Sequence, residues 1–288
     1  VQVDVGVYDR NRATPILGLS CDDFDLNDGG QAAELISCKP ITALDVILVA
    51  DELSLRLVPG RAFQQDLKRG LSNWRKADRV ALLSLIYGDL RWLYDFTNSP
   101  KPILDILNGA KTRPRIQSLN QPIFDAISEA AQKLRGSVAD VRAILVLSND
   151  RERRSQAKPD SAAEDALKAN ASIYQIILNN IGGSVGVVGL PWPLPRPEIR
   201  GQVPVPPPSP AMTRIVLRSG GEQLATAVLQ NAFSTMIELL RGRYILSYRR
   251  PLRKQGDYHA ISVRLSTSAE RKHPNAIVRV RAGYYTPG

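Results

Sequence analysis

Apolar and polar residues alternate over residues 1–7, so that Val1, Val3, Val5 and Val7 share one face of a half-buried strand. Residues 8–14 read as a turn-rich loop. A hairpin follows, because Gly29-Gly30 supplies a two-residue turn that pairs Asp28 with Gln31. The N-terminal segment is therefore strand and turn throughout.

The pattern changes near Asp45. Residues 45–50 (DVILVA) form a continuous apolar run, as in a strand covered on both faces. Residues 61–71 carry Phe63, Leu67 and Leu71 at helical spacing. Residues 79–87 (RVALLSLIY) predict another buried strand, with residues 90–96 as its antiparallel neighbour across Gly88-Asp89. A short helix is expected over 101–107. Residues 122–134 predict an amphipathic helix, with Ile123, Ile127, Ala130, Ala131 and Leu134 on one stripe and Pro122 in the first turn. Buried strands follow at 143–147 and 173–178, with a helix over 161–169 between them. Such alternation implies a mostly parallel sheet with helices on both faces. Residues 191–210 are proline-dense and read as an extended surface excursion, either a stiff loop or a ligand for a proline-reading partner. Helical spacing resumes over 223–240. The tail returns to strands at 244–249, 258–265 and 277–285.

The expected organisation is an α/β domain over residues 43–240, carrying the excursion at 191–210. An N-terminal β segment (1–42) and a C-terminal β segment (241–288) would pack together as a small β module.

The two cysteines sharpen the picture. In the register fixed by the Gly29-Gly30 turn, Cys21 and Cys38 fall directly opposite each other. Counting outward from a hydrogen-bonded 28/31 pair makes 21/38 a non-hydrogen-bonded pair, where side chains approach most closely. A disulfide is expected, and with it an oxidising compartment. The chain opens on Val1 and not on Met, so a leader peptide removed from this chain is also expected.

The 288 residues hold 43% hydrophobic and 23% charged side chains, an ordinary globular balance. The net charge of +10 is less ordinary. Basic residues cluster at Arg151, Arg153 and Arg154, at Arg249, Arg250, Arg253 and Lys254, and at Arg271 and Lys272. Such clusters either attract an anionic polymer or form a solvated surface. No aromatic residues interleave with them as a base-stacking platform would need. No apolar run reaches the roughly 20 residues of a membrane helix.

Catalytic signals are thin. Gly182-Gly183-Ser184-Val185-Gly186 matches the G-x-S-x-G nucleophile pattern, but that motif needs a following helix, and here Val187 to Pro191 and a proline run follow. His259 and His273 are the only histidines. Asp22-Asp23 and Glu164-Asp165 read as turn and helix-surface carboxylates. No phosphate-binding loop, His-Glu-x-x-His or cysteine-rich metal spacing is present. The chain is expected not to be an enzyme and to need no cofactor.

Several stretches carry a resemblance. They are GLSCDDFDLNDGGQ (18–31), WRKADRVALLSLI (74–86), LRWLYDFT (90–97), VRAILVLSND (141–150), and the tail segments YILSYRRP, YHAISVRL and VRVRAGYYTPG. In this order and spacing they resemble the von Willebrand factor A (VWA)-related domain family found largely in acidobacteria. The resemblance implies a Rossmann-like VWA fold with a ligand site at the carboxyl ends of its strands. Most VWA domains hold a divalent cation there through a D-x-S-x-S loop, a Thr, and an Asp before a Gly. Here the first loop reads Asp51-Glu52-Leu53-Ser54-Leu55, with leucines in place of both serines. The Thr position falls on Gln121, and the Thr-Asp-Gly position reads Ser148-Asn149-Asp150. Leucine offers no side-chain oxygen and Asn149 no charge, so the resemblance implies a vestigial adhesion site without metal. Asp51, Ser54, Gln121, Ser148, Asn149 and Asp150 would line the surviving binding face. The expected function is non-catalytic protein binding outside the cytoplasm. The alternative is binding of an anionic polymer, glycan or nucleic acid, through the basic clusters.

Overall fold

The computed structural model describes residues 1–51, 60–72, 74–86, 88–109, 121–150, 152–178, 186–188, 208–226, 231–249 and 257–286. The chain begins with β1 (Gln2–Asp9), β2 (Thr14–Pro15), a 3-10 turn (Cys21–Asp23), β3 (Phe24–Asp28), β4 (Gln31–Ala33) and β5 (Leu35–Pro40). The middle alternates. It comprises β6 (Leu44–Asp51), α1 (Gly60–Ser72), β7 (Arg79–Ile86), β8 (Asp89–Thr97), α2 (Lys101–Gly109), α3 (Ile123–Leu134) and β9 (Val141–Ser148). It continues with α4 (Pro159–Lys168), β10 (Ala171–Leu178), β11 (Gly186–Val188), α5 (Pro210–Arg218), β12 (Gln223–Thr226) and α6 (Ala232–Arg241). The tail is β13 (Arg243–Tyr248), β14 (Tyr258–Leu265), α7 (Thr267–Lys272), β15 (Ala276–Val280) and β16 (Gly283–Tyr285).

The fold is mixed α/β. The middle strands form one sheet in the order β11-β12-β10-β9-β6-β7-β8. Its five inner strands are parallel, while β8 and β11 pair antiparallel at the edges. Across the whole molecule antiparallel pairings outnumber parallel ones, so the expectation of a mostly parallel sheet holds only for these inner strands.

Every residue of β6 is buried, because the sheet is covered on both faces. Successive side chains of a strand point to opposite sides, and here that separates two cores. Val46, Leu48, Val80 and Leu82 face α1, α2 and α6 through Leu67, Leu71, Ile103, Phe233 and Met236. Ile47, Val49, Ala81 and Leu83 face α3, α4 and α5 through Ile127, Ala130, Ala163 and Ile215.

The two chain ends pair with each other. One sheet runs β15-β1-β13-β5, with β2 also on β1; Val3 lies opposite Leu246, and Gly6 opposite Arg279. A second sheet runs β16-β14-β3-β4. The sheets share a core that includes Val3, Val5, Phe24, Leu26, Leu246, Ile261 and Val263.

Three sequence expectations are corrected. Residues 223–226 do not continue a helix. They are β12, a strand too short to show a period, and helical structure resumes at Ala232. Residues 277–285 are two strands, interrupted at Arg281-Ala282, where Ala282 N donates to Arg218 O. The hairpin does pair Asp28 with Gln31, but its ladder stops at Leu26 opposite Ala33. The chain then crosses to the other sheet, where Cys38 lies opposite Leu246. Cys21 and Cys38 are nevertheless bridged, with Cα atoms 5.3 Å apart. The bond therefore ties the 3-10 turn that leads into β3 to β5 of the other sheet, instead of joining two rungs of one hairpin. In the chain-entropy account, closing a loop of this size stabilises by about 3 kcal/mol.

Arginines stitch the β unit to the α/β layers. Arg243, buried against Asp4, donates to the Tyr174 hydroxyl at 2.7 Å and to Gly220 O at 3.0 Å. Burial drives the Tyr174 hydroxyl up to a pKa of about 12. Arg279 Nε donates to Glu222 Oε2 at 2.9 Å, and Arg281 Nη1 to Asn170 Oδ1 at 2.5 Å.

Candidate functional site

After β6 the chain places β7 on one side and β9 on the other, so the topological switch point lies between β6 and β9. In open α/β sheets that crevice, at the strand carboxyl ends, is where ligands bind. Asp51 is the last residue of β6 and Ser148 the last of β9.

Asp51 is 2% exposed. Its Oδ2 accepts a hydrogen bond from Gln121 Nε2 at 2.8 Å. The main chain of Gln121 pairs both ways with Arg153, at 3.2 and 3.0 Å. The structure thus joins the ends of three segments: β6, the lead-in to α3, and the loop after β9. The oxygen of the same Gln121 amide is buried and accepts no hydrogen bond among the described residues.

Asp150 adopts a left-handed backbone, with φ of 61°. This is the position where the resembled motif carries Gly, and Asp is among the side chains that tolerate such a φ. Its carboxylate turns inward, accepting from Gln175 Nε2 at 3.0 Å and from Ser209 N at 2.5 Å. Burial raises its pKa, and these two bonds oppose the rise. Gln175 Nε2 also reaches Ser148 Oγ at 3.3 Å, and Gln175 Oε1 accepts from Gln223 Nε2 at 2.5 Å. Asn149 is half-buried between Ser148 and Asp150.

The first turn of α3 is capped from the same loop. Glu152 Oε2 accepts from Ile123 N and Phe124 N, and Ser155 Oγ accepts from Phe124 N. Asp125 returns the favour by accepting from Gln156 N and Ala157 N. Pro122, expected inside this first turn, is the capping residue before it.

Of the residues singled out from the sequence, the structure joins Asp51 to Gln121, and Ser148 to Asp150 through Gln175. Ser54 and its neighbours Leu53 and Leu55 lie outside the described residues. So do Ser184 and most of the proline-dense stretch. Arg153 and Arg154 are exposed beside this face, whereas Arg249 follows β13, and Arg271 and Lys272 belong to α7. Arg151, Arg250, Arg253 and Lys254 lie outside the described residues. His259 is buried on β14 against the Tyr284 ring, and His273 ends α7.

Asp23 accepts from Ser20, whose bonds hold its carboxyl below the ordinary range. Glu164 pairs with Lys168, and Asp165 with Arg135. Among the described residues no three His, Cys, Asp or Glu side chains group as metal ligands would.

Sequence reasoning missed Gln175, Gln223, Glu152 and Ser209. A signal for the first existed: a glutamine inside the otherwise apolar strand IYQIIL.

No family model and no curated protein matches the chain. Solved structures give likenesses of backbone. One is an aerotolerance-related membrane protein from Bacteroides fragilis carrying multiple mutations to serines, at 16% identity and a TM-score of 0.46, covering 68% of this chain and 96% of that one. Another is the conserved hypothetical protein BatB from Bacteroides thetaiotaomicron, at 16% identity and a TM-score of 0.44, covering 69% and 96%. A third is the vWF domain of the type V pili tip protein Mfa5 from Porphyromonas gingivalis, at 18% identity and a TM-score of 0.29, covering 38% of each chain. At these values the likenesses carry no weight about function.

Proposed function

We propose that this chain is a non-catalytic protein-binding module of VWA type that works outside the cytoplasm. Its partner surface is the crevice between the carboxyl ends of β6 and β9. The observation that carries this reading is the gathering of Asp51, Gln121 and the 148–150 segment at the switch point of the sheet. The parallel inner strands and the antiparallel β8 edge support the VWA reading. The Cys21–Cys38 disulfide supports an oxidising compartment. The division into residues 1–42, 43–240 and 241–288 belongs to the same proposal, with the two ends as one β module.

The metal site is vestigial in this reading. An octahedral dication needs several oxygens free to converge. One Asp51 oxygen takes an amide N–H, Asp150 is turned into the protein, and leucines stand at both serine positions of the first loop.

The test is capture of envelope proteins on the immobilised chain, identified by mass spectrometry, with and without chelator. Replacing half-buried Asn149 by Trp fills the crevice and is expected to abolish specific capture, while chelator leaves capture unchanged. Capture unaffected by Asn149→Trp overturns the site, and capture abolished by chelator overturns the vestigial metal. The competing reading, an anionic-polymer binder, is favoured by the net charge of +10. It requires affinity that falls steeply with salt for any polyanion.

A further inference from the structure

We propose that Arg153 and Arg154 form a carboxylate-reading pair at this crevice, and that the partner presents an acidic peptide segment to it. The inference rests on the binding-module reading and names the partner chemistry of that site.

Placement is the first ground. The pair sits in the loop just beyond β9, and the Arg153 main chain is bonded in both directions to Gln121, whose side chain holds Asp51. The second ground is that residues 152–157 are tied down before any partner arrives. Glu152, Ser155 and Asp125 tie it to the start of α3, and Arg154 holds a left-handed φ of 68°. A backbone ordered in advance loses less entropy on binding.

The third ground is charge left over. In the helical layer that this loop adjoins, Arg135 pairs with Asp165, and Arg214 and Arg218 with Asp160. The nearest acids, Glu152 and Asp125, accept backbone N–H groups instead. Arg153 and Arg154 are exposed and make no ion pair among the described residues. A planar guanidinium matches a carboxylate through two parallel N–H···O bonds.

The surroundings select a peptide over a nucleic acid. Residues 148–158 contain no aromatic side chain on which a base would stack. Asp125, Glu152 and Asp160 interrupt any continuous track for a phosphate backbone.

Fluorescence polarisation with labelled hexaglutamate, hexaglutamine and a single-stranded oligonucleotide tests the assignment on the full chain. Hexaglutamate is expected to bind and hexaglutamine not to. Arg153→Glu with Arg154→Glu should weaken hexaglutamate by at least about tenfold, and Arg271→Glu with Lys272→Glu by less than about twofold. The milder Arg153→Gln with Arg154→Gln, matched to wild type in melting temperature, guards against misfolding. Equal losses for both reversals would reduce the effect to net charge and overturn the pair. So would tighter, arginine-dependent binding of the oligonucleotide, or no binding of hexaglutamate. In the capture experiment, loss with Asn149→Trp but not with Arg153→Glu and Arg154→Glu sinks this inference alone. Loss with neither sinks the binding face itself.

Discussion

Glu222 shows how far a single side chain can couple the protein to pH. It is 1% exposed, and burial drives its pKa from the ordinary 4.5 up to about 7, although Arg279 pulls the other way. The folded state therefore holds this proton more tightly than the unfolded chain does. Its contribution to stability is fully present below about pH 4.5 and is lost as pH rises through about 7, a change of about 3 kcal/mol over that window. Glu222→Gln cannot ionise, so its stability should vary less across the same window. Urea unfolding of both proteins at pH 5 and pH 8 checks this. Equal pH dependence in the two would mean that Arg279 compensates the carboxylate in full.

At the scale of elements, α1 and α6 cross at Gly70. A Cβ built there would lie 2.5 Å from Cδ1 of the buried Phe233 and 3.3 Å from the Ser234 backbone. Alanine gains about 1 kcal/mol in helix propensity, but overpacking at such a contact costs about 1–3 kcal/mol. Gly70→Ala should lower the denaturation midpoint, and Gly70→Val should lower it further. At Gly136, where added atoms meet open space, alanine should be close to neutral. The helices that meet at this crossing were legible in part from their 3.6-residue stripes. The inner strands were legible because burial on both faces leaves an unbroken apolar run. Four-residue β12 was not, since Gln223 and Gln175 are polar side chains satisfied by each other inside a core. The β3–β4 register was legible only as far as the turn governs it, because nothing local marks the step from one sheet to the other after Ala33. Of the proposed site, Asp51 and the 148–150 segment were singled out through the motif they depart from. The main-chain pairing of Gln121 with Arg153 carries no side-chain signature and could not be.

For the whole molecule, a cation that bound only the folded state would raise the melting temperature by mass action. In the proposed reading the Asp51 and Asp150 carboxylates are engaged by Gln121 and Gln175 instead of by a cation. Melts with millimolar Mg²⁺, with Ca²⁺ and with chelator are expected to superimpose. An upward shift with Mg²⁺ that Asp51→Ala removes would show a working site. The pairing of β1 with β13 and β15 has a mechanical side as well. Tension entering the chain at β1 and leaving at β15 is borne by the ladder that joins them. The α/β layers hang from that ladder as a side loop, outside the line of force. Because Val5 lies opposite Val280 and Asp9 opposite Ala276, the rungs open one at a time, and the load reaches the crevice between β6 and β9 only after β1 has peeled away.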